Sequence, residues 1–169
     1  MNMKKIIAIC LLLSCLVGTL AACKEKKEPE PTAEPYAFAC FGIEIVVGKE
    51  YATVSSTLSA QNPTVSTKSS CLGGVDGEDV TYVFAGFHIQ TFRHSGGEEI
   101  RWIVLDDDST TTKEGIAIGV SRDAVIAAYG TPKEETASLL TYQHGESELR
   151  FNMRDGRVTG ISYCVVQTK

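Results

Sequence analysis

The 169-residue sequence predicts an α+β domain. Two tandem units, each a helix followed by a three-stranded antiparallel meander, are expected to form one sheet with the helices packed on one face. Three observations predict this. The stretches GIEIVVGKEYATV (42–54) and GIAIGVSRDAV (115–125) repeat one pattern, Gly-Ile-x-Ile, then Gly, then Val six residues further on. After each copy the apolar spacing changes from a helical period to strict alternation. The composition, 43% hydrophobic and 22% charged, is that of an ordinary folded domain and excludes a disordered or collagen-like chain.

Taken in chain order, residues 1–22 come first as a targeting segment. Lys4 and Lys5 precede an apolar run from Ile6 to Leu20, which is shorter than the roughly 20 residues a spanning helix needs. The run ends in Leu20-Ala21-Ala22-Cys23, small residues before a cysteine. This motif resembles the lipobox of bacterial lipoproteins, which implies that the Cys23 thiol takes a diacylglycerol and becomes the first residue after cleavage. Acyl chains contribute about 0.8 kcal/mol per buried CH₂, so such an anchor holds a protein at a membrane without a spanning segment. Cleavage removes two lysines and no acid, taking the formal charge from −5 to −7. A chain this acidic lacks the excess of cations that nucleic-acid binding requires. Residues 23–35 are then the lipidated cysteine and a tether, because KEKKEPEPTAEP (24–35) holds three of the five prolines and nothing aromatic or larger than Ala among its apolar residues.

Residues 36–169 are expected to form the domain, with repeat one at about 40–108 and repeat two at about 109–169. In the first repeat a helix carries Tyr51, Val54 and Leu58 and stops at Asn62-Pro63. A long polar loop follows over 60–79, its Gly73-Gly74-Val75-Asp76-Gly77 reading as flexible. Strands are expected in VTYVF (80–84), FHIQTF (87–92) and EIRWIVL (99–105), the last with Ile100, Trp102 and Val104 on one face and Arg101, Ile103 and Leu105 on the other. Asp106-Asp107-Asp108 opens a solvated linker. In the second repeat Ile116 and Ile118 alternate as a short strand would, and Ser121 caps a helix bearing Val125, Ile126 and Tyr129 on one side. Gly130-Thr131-Pro132 ends it. The closing strands are SLLTYQ (138–143), ELRFNMRDG (148–156) and RVTGISYCVV (157–166), with Leu149, Phe151 and Met153 facing a core.

The stretches SSCLGGVDGEDVTYVFAGFHIQTF (69–92), IRWIVLDDDSTTTKEGIAIGVSRDAVIAAYG (100–130) and LRFNMRDGRVTGISY (149–163) resemble clostridial-type lipoprotein domains. The fold of those domains is like that of the β-lactamase inhibitor protein and the small outer-membrane assembly lipoproteins. The resemblance covers most of residues 40–166. It implies a helix-plus-meander fold used for binding rather than for one chemistry.

Residue patterns that would carry chemistry are thin. If lipidation occupies Cys23, three thiols remain in an oxidising compartment: Cys40, Cys71 and Cys164. A Cys40–Cys71 disulfide, which would tie the polar loop to the opening strand, is the preferred pairing, with free buried thiols as its alternative. His88, His94 and His144 have no i, i+4 spacing, so no metal is expected, and the triple aspartate lacks the alternating pattern of a calcium loop. Gly-x-Ser-x-Gly is absent, as is a supported Ser-x-x-Lys pair. No cofactor is expected. Aromatic residues cluster in the first half of the sheet, and Tyr82, Phe92, Arg93 and Trp102 form the candidate binding surface, with a core role for these aromatics as the plainer alternative. The sequence thus predicts a non-enzymatic, lipid-anchored extracytoplasmic protein that binds an envelope or secreted protein. An envelope-assembly role, or inhibition of an extracellular hydrolase, are the alternatives the resemblance suggests.

Overall fold

The computed structural model describes residues 34–166. Cys23 and tether residues 24–33 lie outside the described residues. The chain opens with a hairpin, β1 (Ala37–Cys40) and β2 (Ile43–Val46), then a 3-10 turn at Tyr51–Thr53 and a five-residue helix α1 (Ser55–Ser59). Four strands follow: β3 (Thr64–Leu72), β4 (Val75–Val83), β5 (Phe87–His94) and β6 (Gly97–Leu105). After helix α2 (Arg122–Tyr129) come β7 (Glu134–Glu135), β8 (Leu139–His144), β9 (Ser147–Arg154) and β10 (Arg157–Val165). β1 and β2 form a small sheet of their own. The other eight form one antiparallel sheet in the order β3-β4-β5-β6-β10-β9-β8-β7.

This architecture corrects the α+β expectation. The protein is mostly β: each meander has four strands rather than three, and α2 is the one helix with two full turns among the described residues. The expected first helix is reduced to the 3-10 turn and α1, although Tyr51, Val54 and Leu58 are buried as that helix would have buried them. Its residues explain the shortening. Neither cap residue of α1 is held by a side-chain hydrogen bond, no acid stands in its first turn, and Ser55, Ser56, Thr57 and Ser59 compete for the backbone. Helices are therefore not the layer that covers the sheet. Phe38 and Ile45 from the small hairpin, Leu58, Ile116 from the linker and Val125 together close over Ile89, Ile103, Leu149, Phe151, Ile161 and Tyr163.

The expected strand at Ile116 and Ile118 is also absent. Thr112 folds that segment into a closed turn: its backbone N–H donates to Ile116 O at 2.9 Å and its hydroxyl accepts from Ile116 N at 3.1 Å. α2 does form as expected. Ser121 Oγ accepts from Ala124 N at 3.3 Å, Asp123 lies in the first turn, and Gly130 ends the helix at φ 75°.

The largest departure is at the expected loop 60–79, most of which belongs to a regular hairpin running from Thr64 to Val83. β3 and β4 pair without interruption from Thr64↔Val83 to Leu72↔Val75, and Gly73 (φ 59°) and Gly74 (φ 83°) make the two-residue turn that suits a twisted hairpin. Nearly all of β3 is exposed, so its residues never needed the apolar alternation that announces a strand.

Candidate functional site

Strand alternation divides the large sheet into a core face and an open face, and a β-bulge decides which side Trp102 takes. On β5 and β6 the register runs Gln90↔Trp102 and then Thr91↔Ile100, so Arg101 is the extra residue. Ile100 therefore joins Ile103 and Leu105 in the core, while Trp102 and Val104 pair with Gln90 and His88 on the opposite side. The expected grouping of Ile100 with Trp102 and Val104 is corrected by this one residue.

The four candidate surface residues are divided between the faces. Tyr82 and Arg93 lie on the core face in a hydrogen-bonded group around Glu98. The Tyr82 hydroxyl donates to Glu98 Oε1 at 2.8 Å, Arg93 Nε donates to Glu98 Oε2 at 2.8 Å, and Arg93 also donates to the Tyr82 oxygen at 3.0 Å. Tyr51 stacks on Tyr82 with ring centroids 4.4 Å apart. Burial acts to raise the Glu98 pKa, but donors from Thr91, Arg93 and Tyr82 outweigh it and hold the carboxylate below its usual range. Burial, and then the hydrogen bond to Glu98, push the Tyr82 phenol up. These groups satisfy one another and tie β4, β5 and β6 together, with the Arg93 side chain still 43% exposed and also 3.5 Å from Glu78.

Phe92 and Trp102 do share the open face. Phe92 is nonetheless buried: its ring lies across β4 at Gly77, where the missing side chain makes room, and stacks on His94 at 5.6 Å. Trp102 is half-buried, and the Arg150 guanidinium sits 5.7 Å from its ring centre, within cation–π range. Arg150 is in turn held by Glu148, with its terminal nitrogen 2.5 Å from Oε2. Glu148 is buried, and Lys133 stands 3.4 Å from its other oxygen, Oε1.

Beside Trp102 the open face carries a groove of about 530 Å³ whose walls include Ser66, Lys68, Thr81, Gln90 and Arg101. Strands β3 to β6 supply all of these, so the groove stands on paired strands and presents an indole edge, neutral hydrogen-bonding groups, the cations Lys68 and Arg101 and the carboxylate of Asp79, groups of the kind that recognise another polar surface. The sequence pattern alone brought only Trp102 and Phe92 to this place. Ser66, Lys68, Thr81 and Gln90 were readable as cross-strand neighbours only once β3 was known to be a strand and the Arg101 bulge was located.

Nucleophilic chemistry finds little support in the arrangement. His88 is bound through Nδ1 to Asp106 at 2.8 Å, as the base of a triad would be, but its Nε2 faces Gln90 at 3.4 Å rather than a hydroxyl or thiol. The thiols of Cys40, Cys71 and Cys164 are all free in this structure, which does not carry the expected Cys40–Cys71 bridge; Cys40 closes β1 and Cys71 lies near the end of β3. Burial pushes the Cys40 thiol up to about 11 and also raises that of Cys164, which keeps both protonated and unreactive near neutral pH. Among the described residues no group of His, Cys, Asp or Glu has the makings of a metal site, and no helix is long and apolar enough to cross a membrane. No family model matches the chain, and neither a curated protein nor a solved structure is similar to it.

Proposed function

We propose that this protein is an extracytoplasmic lipoprotein, anchored through Cys23, whose domain is a non-catalytic module for binding an envelope or secreted protein. The observation that carries the reading is the groove on the open face of the sheet, where Trp102 and Arg101 stand beside Gln90 and Lys68 and no layer covers them among the described residues. Antiparallel sheets commonly bury one face and leave the other to solvent, and a solvated face with a fixed aromatic ring at its centre is suited to recognition. Lys4, Lys5, the apolar run and Cys23 support delivery to a membrane surface.

The test has two arms. Cells given radiolabelled palmitate should label the wild-type chain and leave Cys23→Ala unlabelled; equal labelling of both would remove the anchor. A photo-cross-linking residue at Gln90 should yield one discrete protein adduct in intact cells, lost in Trp102→Ala. A smear of adducts indifferent to Trp102, or none, would end the binding reading.

A further inference from the structure

The two edges of the large sheet are unequal. At one end β7 is two residues long, both are glutamates, and Pro132 stands just before it. Short length, charge and proline are the devices by which proteins close an edge to further pairing. At the other end β3 has nine residues, no proline, no bulge against β4 and a single charge, Lys68. Every second residue of an edge strand turns its N–H and C=O away from its only neighbour. Among the described residues no backbone group of Thr64–Leu72 takes a hydrogen bond outside the sheet.

Apolar side chains are also out of place at this edge. Of the five large hydrophobic residues that stand exposed among the described residues, Val65, Leu72, Val75 and Val83 all belong to the β3–β4 hairpin. Val65 lies on one face of β3 and Leu72 on the other, so an additional strand would cover both.

We infer that β3 is a docking edge that accepts an extended segment of the partner protein as a ninth, antiparallel strand, with an acidic side chain opposite Lys68. This rests on the protein-binding reading and names its geometry. The charge follows from Lys68, the mid-strand residue: Asp79 stands opposite it on β4 but forms no ion pair with it among the described residues, and on its open side the Lys68 side chain would stand about 5 Å from the facing one of an added strand. The same residue excludes a second copy of this chain in full register, because antiparallel pairing of Thr64–Leu72 with itself places Lys68 against Lys68. Main-chain hydrogen bonds supply the affinity in such an arrangement, and alternate side chains supply the choice of partner.

The probe is the peptide TVTVEVTVT, N-methylated on alternate amides so that it cannot stack on itself, with TVTVKVTVT as its opposite. Fluorescence anisotropy with the full-length protein in detergent should show the glutamate peptide binding about tenfold more tightly than the lysine peptide. Lys68→Glu, an exposed change whose folding Trp102 fluorescence can verify, should reverse that order. Hydrogen exchange should show alternate amides of β3 slowing when the glutamate peptide is added while those of β7 do not change. Binding indifferent to both charge reversals, no binding of either peptide, or protected β3 amides in a peptide-free dimer would each overturn the inference. If the peptides fail while the Gln90 cross-link still gives its Trp102-dependent adduct, only the β3 edge is refuted and protein binding stands.

Discussion

At the scale of single residues, Gly77 is the clearest case of a position dictated by its neighbours. A Cβ there would stand 2.4 Å from the Arg93 carbonyl oxygen and 2.7 Å from Phe92 Cζ, and the first of these is backbone that cannot swing aside. Gly77→Ala should therefore cost about 1–3 kcal/mol, the range of an overpacked site, read as a lower urea midpoint with an unchanged slope. A midpoint equal to wild type would mean that Phe92 does not lie on β4. Glu98 makes a prediction about acid. Its pKa is depressed in the folded protein relative to about 4.3 when unfolded, so its contribution is present above the unfolded value and lost as pH falls through the folded one. Glu98→Gln should be less stable than wild type at pH 7. The gap should narrow steadily below about pH 5, and a gap independent of pH would show that the ionised form of Glu98 contributes nothing. The Tyr163 hydroxyl is the reverse case, since it is buried without a hydrogen-bond partner among the described residues. Tyr163→Phe should leave the thermal midpoint unchanged or raise it, and a clear fall would reveal a partner, such as a buried water, for that oxygen.

Among the elements, α2 owes its existence to its ends. With eight residues it is too short to persist by propensity, and the Ser121 cap supplies one of the few bonds that define where it starts. Ser121→Ala should cost about 1 kcal/mol, measurable in urea, while Ser121→Asp should restore most of it; equal loss in both would place the cost elsewhere. This helix was legible in the sequence because capping residue, apolar spacing and stop glycine all agreed. So were β5, β8, β9 and β10, whose cores alternate as buried strands do, as with Leu149, Phe151 and Met153. β3 was not legible, because Thr-Val-Ser-Thr-Lys-Ser-Ser-Cys-Leu is solvated on both faces and leaves no periodic trace. The bulge at Arg101 was hidden for a different reason: β6 reads as unbroken alternation, and only pairing with β5 shows that Arg101 is supernumerary. Both failures fell on the candidate site. Tyr82 looked like a surface residue while β4 lacked its neighbour β3, and Trp102 was grouped with Ile100 because the bulge that separates them was not visible.

For the whole molecule, the question is whether two meanders in one sheet unfold as one body. They meet at β6 and β10 over only four residue pairs, from Ile161↔Leu105 to Cys164↔Trp102, compared with eight between β9 and β10. A seam this short would give weak coupling if backbone pairing were all that joined the halves. The core argues otherwise, since Phe38 from the opening hairpin touches Phe87 in the first meander and Tyr163 in the second, with ring centroids 4.9 and 5.9 Å apart. Burial shared in this way makes the loss of either meander expose the same hairpin, which is the condition for a single cooperative transition. Trp102 lies at the seam and is the protein's sole tryptophan, so its fluorescence reports that junction from the first meander. Leu140→Ala removes a fully buried side chain from β8, far along the second meander, and should cost about 2–5 kcal/mol. If the halves are coupled, the Trp102 fluorescence and far-ultraviolet circular dichroism midpoints should fall together by the same amount. A Trp102 midpoint that stays at the wild-type value while the dichroism midpoint falls would show that the second meander melts alone, leaving the β3 edge and the groove beside Trp102 intact on the half that remains.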